Sequence, residues 1–152
     1  MIYLLDVNVL LALGYAKHIH RVRAVQWLKH LQTREASVNL ATCSITELGF
    51  VRLACGSARF AEDVRVAQED LKRLKAERLF IFLDDGLGAN RLPRWAERSK
   101  QVTDGHLLEL AAVHRGPLVT LDKGIPGALL IPEQPENPPV VREPPAHYGI
   151  AA

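Results

Sequence analysis

Four acidic residues are spaced along the chain where a fold could bring their carboxylates together: Asp6, Glu47, Asp104 and Asp122. Carboxylates that lie within a few ångströms of one another repel and raise each other's pKa. A cluster that stays ionised therefore needs a counter-charge, which a hard divalent cation with oxygen ligands supplies. Two such ions, about 4 Å apart, can hold the attacking and leaving oxygens of a phosphodiester cleavage. The four acids thus predict a Mg²⁺ or Mn²⁺ site for phosphodiester hydrolysis.

Three of these acids also have a local structural explanation. The stretch "SITE" is typical of a capping box, with Ser44 as N-cap and Glu47 at the third helical position, worth about 1 kcal/mol to a helix. Thr103 likewise offers a capping hydroxyl to a helix whose first turn carries Asp104, where a negative charge suits the helix dipole. Asp122, in "LDKG", has the setting of a turn residue. Taken one at a time, these acids leave both interpretations open.

The chemical interpretation depends on the elements that position the acids. Short apolar runs bounded by polar residues predict strands at 2–5, 38–42, 79–83, 117–121 and 128–131. Helical patterns separate the first four runs, which indicates an α/β fold around a mostly parallel central sheet of four or five strands. In such a sheet the carboxyl ends of the strands meet at one edge, where ligands bind. Asp6 and Asp122 follow strands directly, and we expect all four acids at this edge.

The chain is predicted to form one domain at residues 1–131, followed by an arm at 132–152. Its clearest amphipathic helix is predicted over residues 58–77, where apolar residues from Phe60 to Leu74 recur at alternating steps of four and three. Six of the nine prolines fall between positions 132 and 145, where neither a helix nor a central strand would accept them. We expect this Pro-rich C-terminal arm to be extended or disordered.

Composition and the first residues argue against several classes of protein. Hydrophobic residues make up 48% and charged residues 24% of the chain, which is ordinary for a globular domain and unlike a disordered protein or coiled coil. The apolar start "MIYLLDVNVLLALGYAK" lacks a basic leading region and is interrupted by Asp6, which favours a buried strand and helix over a signal peptide or membrane span. The two cysteines show no disulfide or zinc pattern. We therefore expect a cytoplasmic protein with no membrane partner.

Basic residues are unevenly distributed despite a net charge of only +2. No acid occurs between Asp6 and Glu35, whereas that stretch contains several lysines and arginines, and a second basic run spans residues 91–100. Such runs are either solvated helix faces or surfaces that contact phosphates. On the second interpretation, the side chains that contact phosphates are Arg21, Arg23, Arg94, Arg98 and Lys100.

Four motifs occur in order along the chain: "LLDVNVLLAL", "ITELGFVRL", "KQVTDGHLLELA" and "LVTLDKG". Together they resemble the PIN-domain ribonucleases, and most of all the toxins of the VapC type, over residues 1 to about 131. The resemblance implies a three-layer α/β/α fold and an acidic quartet that binds Mg²⁺ or Mn²⁺ and cleaves RNA. On the matching positions this quartet is Asp6, Glu47, Asp104 and Asp122. We expect Asp6, Glu47 and Asp104 to bind the first ion directly, and Asp122 to act at a second metal site or through water.

The resemblance has further implications for residues and partners. Asn8 and Thr103 match polar positions that accompany the first and third acids, where they would orient carboxylates or water. Toxins of this type are held inactive by a cognate antitoxin protein, and they commonly form homodimers. A different class of function is a non-catalytic PIN-like module that binds RNA or protein. An aspartyl phosphatase is disfavoured, because it would want a second acid where Asn8 stands.

Overall fold

The computed structural model describes residues 1–78 and 80–133. Its strands are β1 (Ile2–Leu5), β2 (Asn39–Cys43), β3 (Ile81–Leu83), β4 (Leu118–Thr120) and β5 (Leu129–Leu130). Its α-helices are α1 (Val7–Gly14), α2 (Arg21–Arg34), α3 (Ser44–Cys55), α4 (Val64–Arg78) and α5 (Val102–Val113). All five predicted strands are therefore present, each within two residues of its predicted ends.

The five strands form one parallel sheet in the order β3-β2-β1-β4-β5. The chain builds outward from β1 to β3 on one side and then crosses to β4 on the other side. The order therefore reverses between β1 and β4, and ligands of open α/β sheets bind at such a point, beyond the carboxyl ends of the strands. Asp6 follows β1 and Asp122 stands two residues beyond β4, so the two acids flank this crevice.

Two apolar layers cover the two faces of the sheet. On one face Tyr3 and Leu5 of β1 pack with buried side chains from α1, α2, α3 and α4. On the other face Leu4 packs with buried residues of α5 such as Leu107 and Leu110. Successive strand residues point to opposite faces, and both faces are apolar because both are covered. The result is the expected three-layer α/β/α fold.

Several helix starts differ from prediction. The helix α4 begins at Val64, not near residue 58, because the Asp63 carboxylate accepts a hydrogen bond from the Val66 amide (2.9 Å) and caps it there. The Ser44 cap was wrong: Cys43 is the N-cap of α3, and its amide donates to the Thr46 hydroxyl (3.0 Å). The Thr103 cap was also wrong, since α5 begins at Val102 with Gln101 at its N-cap.

The expectation for the C-terminal arm cannot be compared with the structure, and the expectation for a membrane span can be compared only within the described residues. The proposed arm at 132–152 lies almost wholly outside them, since only its first two residues are described. Over the described ranges, no helix is both long and apolar enough to cross a membrane.

Candidate active site

Asp6 joins the end of β1 to the start of α1. Its amide donates to the Val119 carbonyl of β4 (2.9 Å), which fixes the backbone beside the neighbouring strand. Its side chain is the N-cap of α1, with Oδ1 accepting from the Val7 amide (2.8 Å) and Oδ2 accepting from the Thr120 hydroxyl (2.8 Å). The residue is only 8% exposed. Asp6 is thus a buried carboxylate whose position is fixed by both neighbouring elements.

Thr120, the last residue of β4, is the centre of this hydrogen-bond network. Its fully buried hydroxyl donates to Asp6 and accepts from the Asp122 amide (3.0 Å) and the Asn8 side-chain nitrogen (3.3 Å). The Asn8 oxygen in turn accepts from the Leu121 amide (3.2 Å). Asn8 therefore ties α1 to the end of β4, and through Thr120 it helps to orient the Asp6 carboxylate.

Asp122 has a turn role on one oxygen only. Its Oδ1 accepts from the Gly124 amide (2.7 Å), as expected for a turn aspartate. The residue is exposed, in contrast to Asp6. Its charge nevertheless reaches the other acids, because it is among the causes that raise the pKa of both Asp6 and Asp104.

Asp104 lies in the first turn of α5 and is half-buried. The next residue, Gly105, lies so close to a neighbouring turn that an added Cβ would be 3.0 Å from the Pro93 ring and 3.1 Å from the Ala96 methyl. His106 pairs with Asp85 after β3, its Nε2 lying 2.5 Å from Oδ2. These contacts fix the start of α5 against the preceding loop. Thr103 is exposed on the same turn.

The pKa shifts show that three of the four acids share one electrostatic environment. Burial raises the pKa of Asp6 above its ordinary 3.8, the hydrogen bonds from Thr120 and Val7 oppose the increase, and the charge of Asp122 adds to it. Burial also raises the pKa of Asp104, and the charges of Asp6 and Asp122 raise it further. No cationic side chain is among the causes of either shift. The crevice at the strand-order reversal therefore carries uncompensated negative charge.

Glu47 is held differently from the other three acids. Its Oε1 accepts a hydrogen bond from the buried Thr42 hydroxyl of β2 (2.6 Å) and forms an ion pair with the Lys75 ammonium group of α4. The two paired side chains remain 23% exposed at Glu47 and 29% exposed at Lys75. Glu47 thus already has a counter-charge supplied by the protein.

The chemistry of the donor set fits a divalent cation at the crevice. The coupled groups offer carboxylate oxygens, the ligands that Mg²⁺ and Mn²⁺ prefer. Within residues 1–78 and 80–133, no three acidic, histidine or cysteine side chains form a group that could hold a metal ion as they stand. Mg²⁺ keeps several waters and uses one or two carboxylates, so an open arrangement suits it. Asp6, Asp104 and Asp122 are the candidate ligands, and their carboxylates would have to move closer together to hold one ion between them.

The family model described as the PIN domain matches residues 3–127 of the sequence, which is most of the chain. The chain belongs to the PIN-domain family. Ribonuclease VapC38 of Mycobacterium tuberculosis is 36% identical over 140 residues, covering 89% of this chain and 94% of the relative. Ribonuclease VapC44 of the same species is 38% identical over 128 residues, covering 80% of this chain and 87% of the relative. The resemblance predicted from the four motifs is confirmed.

A solved structure agrees with this fold. The crystal structure of VapBC2 from Rickettsia felis bound to a DNA fragment from their promoter contains a chain that superposes with a TM-score of 0.57 at 19% identity. The match covers 86% of this chain and 97% of that chain. At this identity the likeness supports the PIN-domain fold alone.

Two of the predicted RNA-contacting side chains of this PIN domain have structural partners. Arg21 donates to the Leu13 carbonyl, at the end of α1 remote from Asp6. Arg23 donates from Nε to the Ile131 and Pro132 carbonyls (both 3.1 Å), which ties α2 to the chain beyond β5. Both guanidinium groups thus have backbone partners within the chain, and RNA contact by Arg21 and Arg23 stays a prediction.

The second basic run lies beside the acidic crevice of the PIN domain. Arg94, Arg98 and Lys100 are exposed in the segment that leads into α5. Because the Pro93–Ala96 turn packs on Gly105, this segment lies against the turn of α5 that carries Asp104.

Sequence reasoning missed three residues of the site: Thr42, Lys75 and Thr120. A polar residue in an otherwise apolar buried strand was the available signal for both threonines, since buried hydroxyls need partners. Lys75 gave no signal, because a lysine on an amphipathic helix is ordinary. Only the packing of α4 against α3 places it on Glu47.

Proposed function

We propose that this PIN-domain chain is a Mg²⁺- or Mn²⁺-dependent endoribonuclease and the toxin of a toxin–antitoxin pair. One observation carries the proposal: at the strand-order reversal the charge of Asp122 raises the pKa of both Asp6 and Asp104, and the charge of Asp6 raises the pKa of Asp104 further, with no cationic side chain among the causes. The names of the VapC relatives, which are ribonucleases, support RNA as the substrate. The proposed partners are RNA, a cognate antitoxin and a second copy of the chain.

The residues of the crevice have distinct roles in the proposed reaction. Thr120 and the Val7 amide hold the Asp6 carboxylate in one orientation, and Asn8 holds Thr120. When bound, a divalent ion supplies a water with a lowered pKa and offsets charge on the phosphodiester. No nucleophilic side chain is required. Asp104 and Asp122 complete the negative site, and Thr103 remains a proposed supporting residue.

Glu47 has a conditional role in this scheme. Its Oε1 is shared by Thr42 and Lys75, so it would act at the metal site through Oε2, or through Oε1 if Lys75 gives way. The expected assignment of Asp6, Glu47 and Asp104 to one ion is therefore revised. We propose Asp6, Asp104 and Asp122 as the principal ligands and Glu47 as an additional one. Arg94, Arg98 and Lys100 would hold the RNA backbone beside them.

The proposal is tested with the Asp6→Asn variant and a mixed RNA substrate. We expect the wild-type chain to cleave RNA with Mg²⁺ or Mn²⁺, to stop in EDTA, and to resume when Mn²⁺ is added in excess. Asp6→Asn removes the buried charge but keeps the shape of the side chain, so cleavage should fall to background while the circular dichroism spectrum is unchanged. Wild-type protein that binds RNA without cleaving it would instead support the non-catalytic module.

A further inference from the structure

A groove lies between α3 and α4 and opens beside Glu47. It has a volume of about 500 Å³, and its polar and aromatic lining consists of Ser44, Glu47, Gln68, Lys72, Lys75 and Phe82. Apolar side chains of α3 and α4 form the remainder of its wall. We refer to it as the α3–α4 groove. Neither the PIN-domain match nor the acidic crevice accounts for it.

Phe82 is the exposed aromatic side chain of this groove. It lies on β3, the edge strand of the sheet, and is 47% exposed. The parallel register pairs Phe82 with Thr42 of β2, so both side chains lie on the same face of the sheet. Thr42 donates to Glu47, and the Phe82 ring therefore lies on the same side as this acid.

Lys75 links the aromatic ring to Glu47. Its ammonium group is paired with Glu47 and lies 5.6 Å from the centre of the Phe82 ring. The ring is therefore within the reach of a single nucleotide from Glu47. Lys72, one turn earlier on α4, is exposed and adds a second cation to the same wall. The groove thus combines two lysines, one of them facing the single acid, with an exposed aromatic ring.

We propose that the α3–α4 groove is a nucleotide-binding subsite for single-stranded RNA beside Glu47, the additional metal ligand of the proposed function. One base stacks on Phe82 and the apolar wall, while Lys72 and Lys75 contact the adjoining phosphates. Aromatic rings flanked by basic side chains bind single strands in this way, because every base has a flat apolar face. Ser44 and Gln68 offer a hydroxyl and an amide to the edge of the base. This inference deepens the proposed function and rests on it.

Charge favours RNA over a protein segment as the occupant. An apolar wall alone would suit either ligand. Glu47 is the single acid of the lining and Lys75 already neutralises it, so Lys72 leaves the lining with a net positive charge that matches a phosphate backbone. A protein occupant, either a second copy or another chain, is an outcome that the experiment separates.

The experiment measures binding of a fluorescein-labelled single-stranded RNA ten-mer by anisotropy in EDTA, where no metal-dependent cleavage occurs. Phe82→Leu keeps an apolar side chain but removes the ring, and we expect it to weaken binding by about tenfold. Phe82→Tyr should bind as the wild type does. Lys72→Gln should weaken binding and reduce the slope of log K against log salt by about one. The matched control Lys29→Gln, on the exposed surface of α2, should change neither.

A second measurement locates the base directly. When 2-aminopurine is placed at successive positions of the ten-mer, one position should lose fluorescence with wild-type protein and keep it with Phe82→Leu. Equal binding by wild type and Phe82→Leu would overturn the inference. Equal losses of RNA affinity in Lys72→Gln and Lys29→Gln would also overturn it. The same holds if light scattering shows that Phe82→Leu changes the oligomeric state and that this change accounts for its weaker RNA binding.

The two proposals fail in distinguishable ways. Binding in EDTA that depends on Phe82, without any cleavage in Mg²⁺ or Mn²⁺, would support the subsite and overturn the nuclease. Cleavage with binding that ignores Phe82 would support the nuclease and overturn the subsite.

Discussion

At the scale of single residues, one hydroxyl decides how the Asp6 carboxylate is presented. Thr120 donates to Asp6 and accepts from the Asp122 amide and the Asn8 side chain. It opposes the effect of burial, which raises the pKa of Asp6. A buried hydrogen bond to a carboxylate is worth more than one between neutral groups. Thr120 is therefore a positioning residue, and its hydroxyl can be removed without a change of shape.

We predict that Thr120→Val lowers cleavage about 10- to 100-fold, as loss of a partner to a metal ligand usually does. Because the lost hydrogen bond lowers the pKa of Asp6, the variant's Asp6 pKa rises further, and the acidic limb of the pH–rate profile moves to higher pH. Stability should fall by about 1–3 kcal/mol. Thr120→Ser keeps the hydroxyl and should retain the wild-type profile. An unshifted profile in the valine variant would contradict the assigned role.

We predict that Lys75→Met strengthens Mn²⁺ binding in the absence of RNA by about fivefold, the effect of removing one competing charge from a partly exposed pair. The same variant should bind RNA more weakly in EDTA, because a phosphate contact of the α3–α4 groove is lost. Electron paramagnetic resonance titration measures the change in Mn²⁺ affinity, and fluorescence anisotropy measures the opposite change in RNA affinity. Lys72→Gln, which leaves Glu47 paired, should change RNA binding alone. Weaker Mn²⁺ binding by Lys75→Met would refute the competition.

Sequence reasoning located residues correctly where they follow a strand, because the direction of the strand then determines the edge of the sheet at which they lie. Asp6 and Asp122 follow predicted strands, and the parallel sheet places them at one crevice. It did not foresee the carbonyl partners of Arg21 and Arg23, because nothing in the sequence of a basic helix indicates which arginines will meet backbone carbonyls. Lys75 was missed for the same reason, since its partner Glu47 is 28 residues away along the chain.

At the scale of elements, the site depends on the close approach of α1 and α3. Gly49 of α3 faces Val7 of α1, and a Cβ at Gly49 would lie 2.7 Å from the Val7 Cγ2 atom. The amide of Val7 donates to Asp6, while Glu47 is two residues before Gly49. The missing side chain at Gly49 therefore sets the distance between the helices that begin beside two of the acids.

We predict that Gly49→Ala destabilises the protein by about 1–3 kcal/mol, since overpacking outweighs the better helix propensity of alanine. Cleavage should fall as well, because displacement of Val7 moves the amide that holds Asp6. Thermal unfolding and rates in Mn²⁺ measure the two effects. The double variant Val7→Ala/Gly49→Ala should recover stability relative to Gly49→Ala. Gly86→Ala is the control, because no atom lies within 4 Å of its added Cβ.

The existence of most elements was predictable and their ends were not. Apolar runs indicate strands wherever both sheet faces are covered, as here. The start of α4 depends on the hydrogen bond that the Asp63 carboxylate accepts from the Val66 amide, and that of α3 depends on Cys43 and Thr46. Capping is a local competition between neighbouring polar groups, and several candidates of similar strength were present.

At the scale of the whole molecule, negative charge at the crevice opposes folding until a cation arrives. The folded-state pKa of Asp6 and Asp104 is raised, so each ionised form is less stable in the folded chain than in the unfolded one. This cost is absent below the ordinary value of 3.8, grows as the pH passes from 3.8 to the raised pKa, and is complete above it. The metal-free protein should therefore gain stability when one of these charges is removed.

We predict that Asp104→Asn raises the melting temperature in EDTA at pH 7 by about 1–3 °C, a small gain because Asp104 is partly exposed and screened. The gain should shrink as the pH is lowered toward 3.8. Saturating Mn²⁺ should reverse the order, since only the wild type binds the ion fully. Glu62→Gln, at an exposed acid, is the control. A destabilised Asp104→Asn protein in EDTA would refute the excess charge.

The strand order determines where the crevice lies, and no pattern in the chain encodes that order. Alternation predicted a parallel sheet, but an order that reverses between β1 and β4 follows only from packing. The four motifs supplied this information indirectly, through the resemblance to the PIN-domain family.

The parallel direction of the strands also separates the two ends of the domain. Met1 precedes β1 and lies at the amino edge of the sheet, 67% exposed, whereas Asp6 is at the opposite edge. After β5 the chain passes Thr120, whose carbonyl accepts from the Ile131 amide (2.9 Å), and Glu133 pairs with Lys123, next to Asp122 (2.8 Å). An affinity tag fused ahead of Met1 would project away from the chemistry. Immobilisation on a sensor surface is best done through that end.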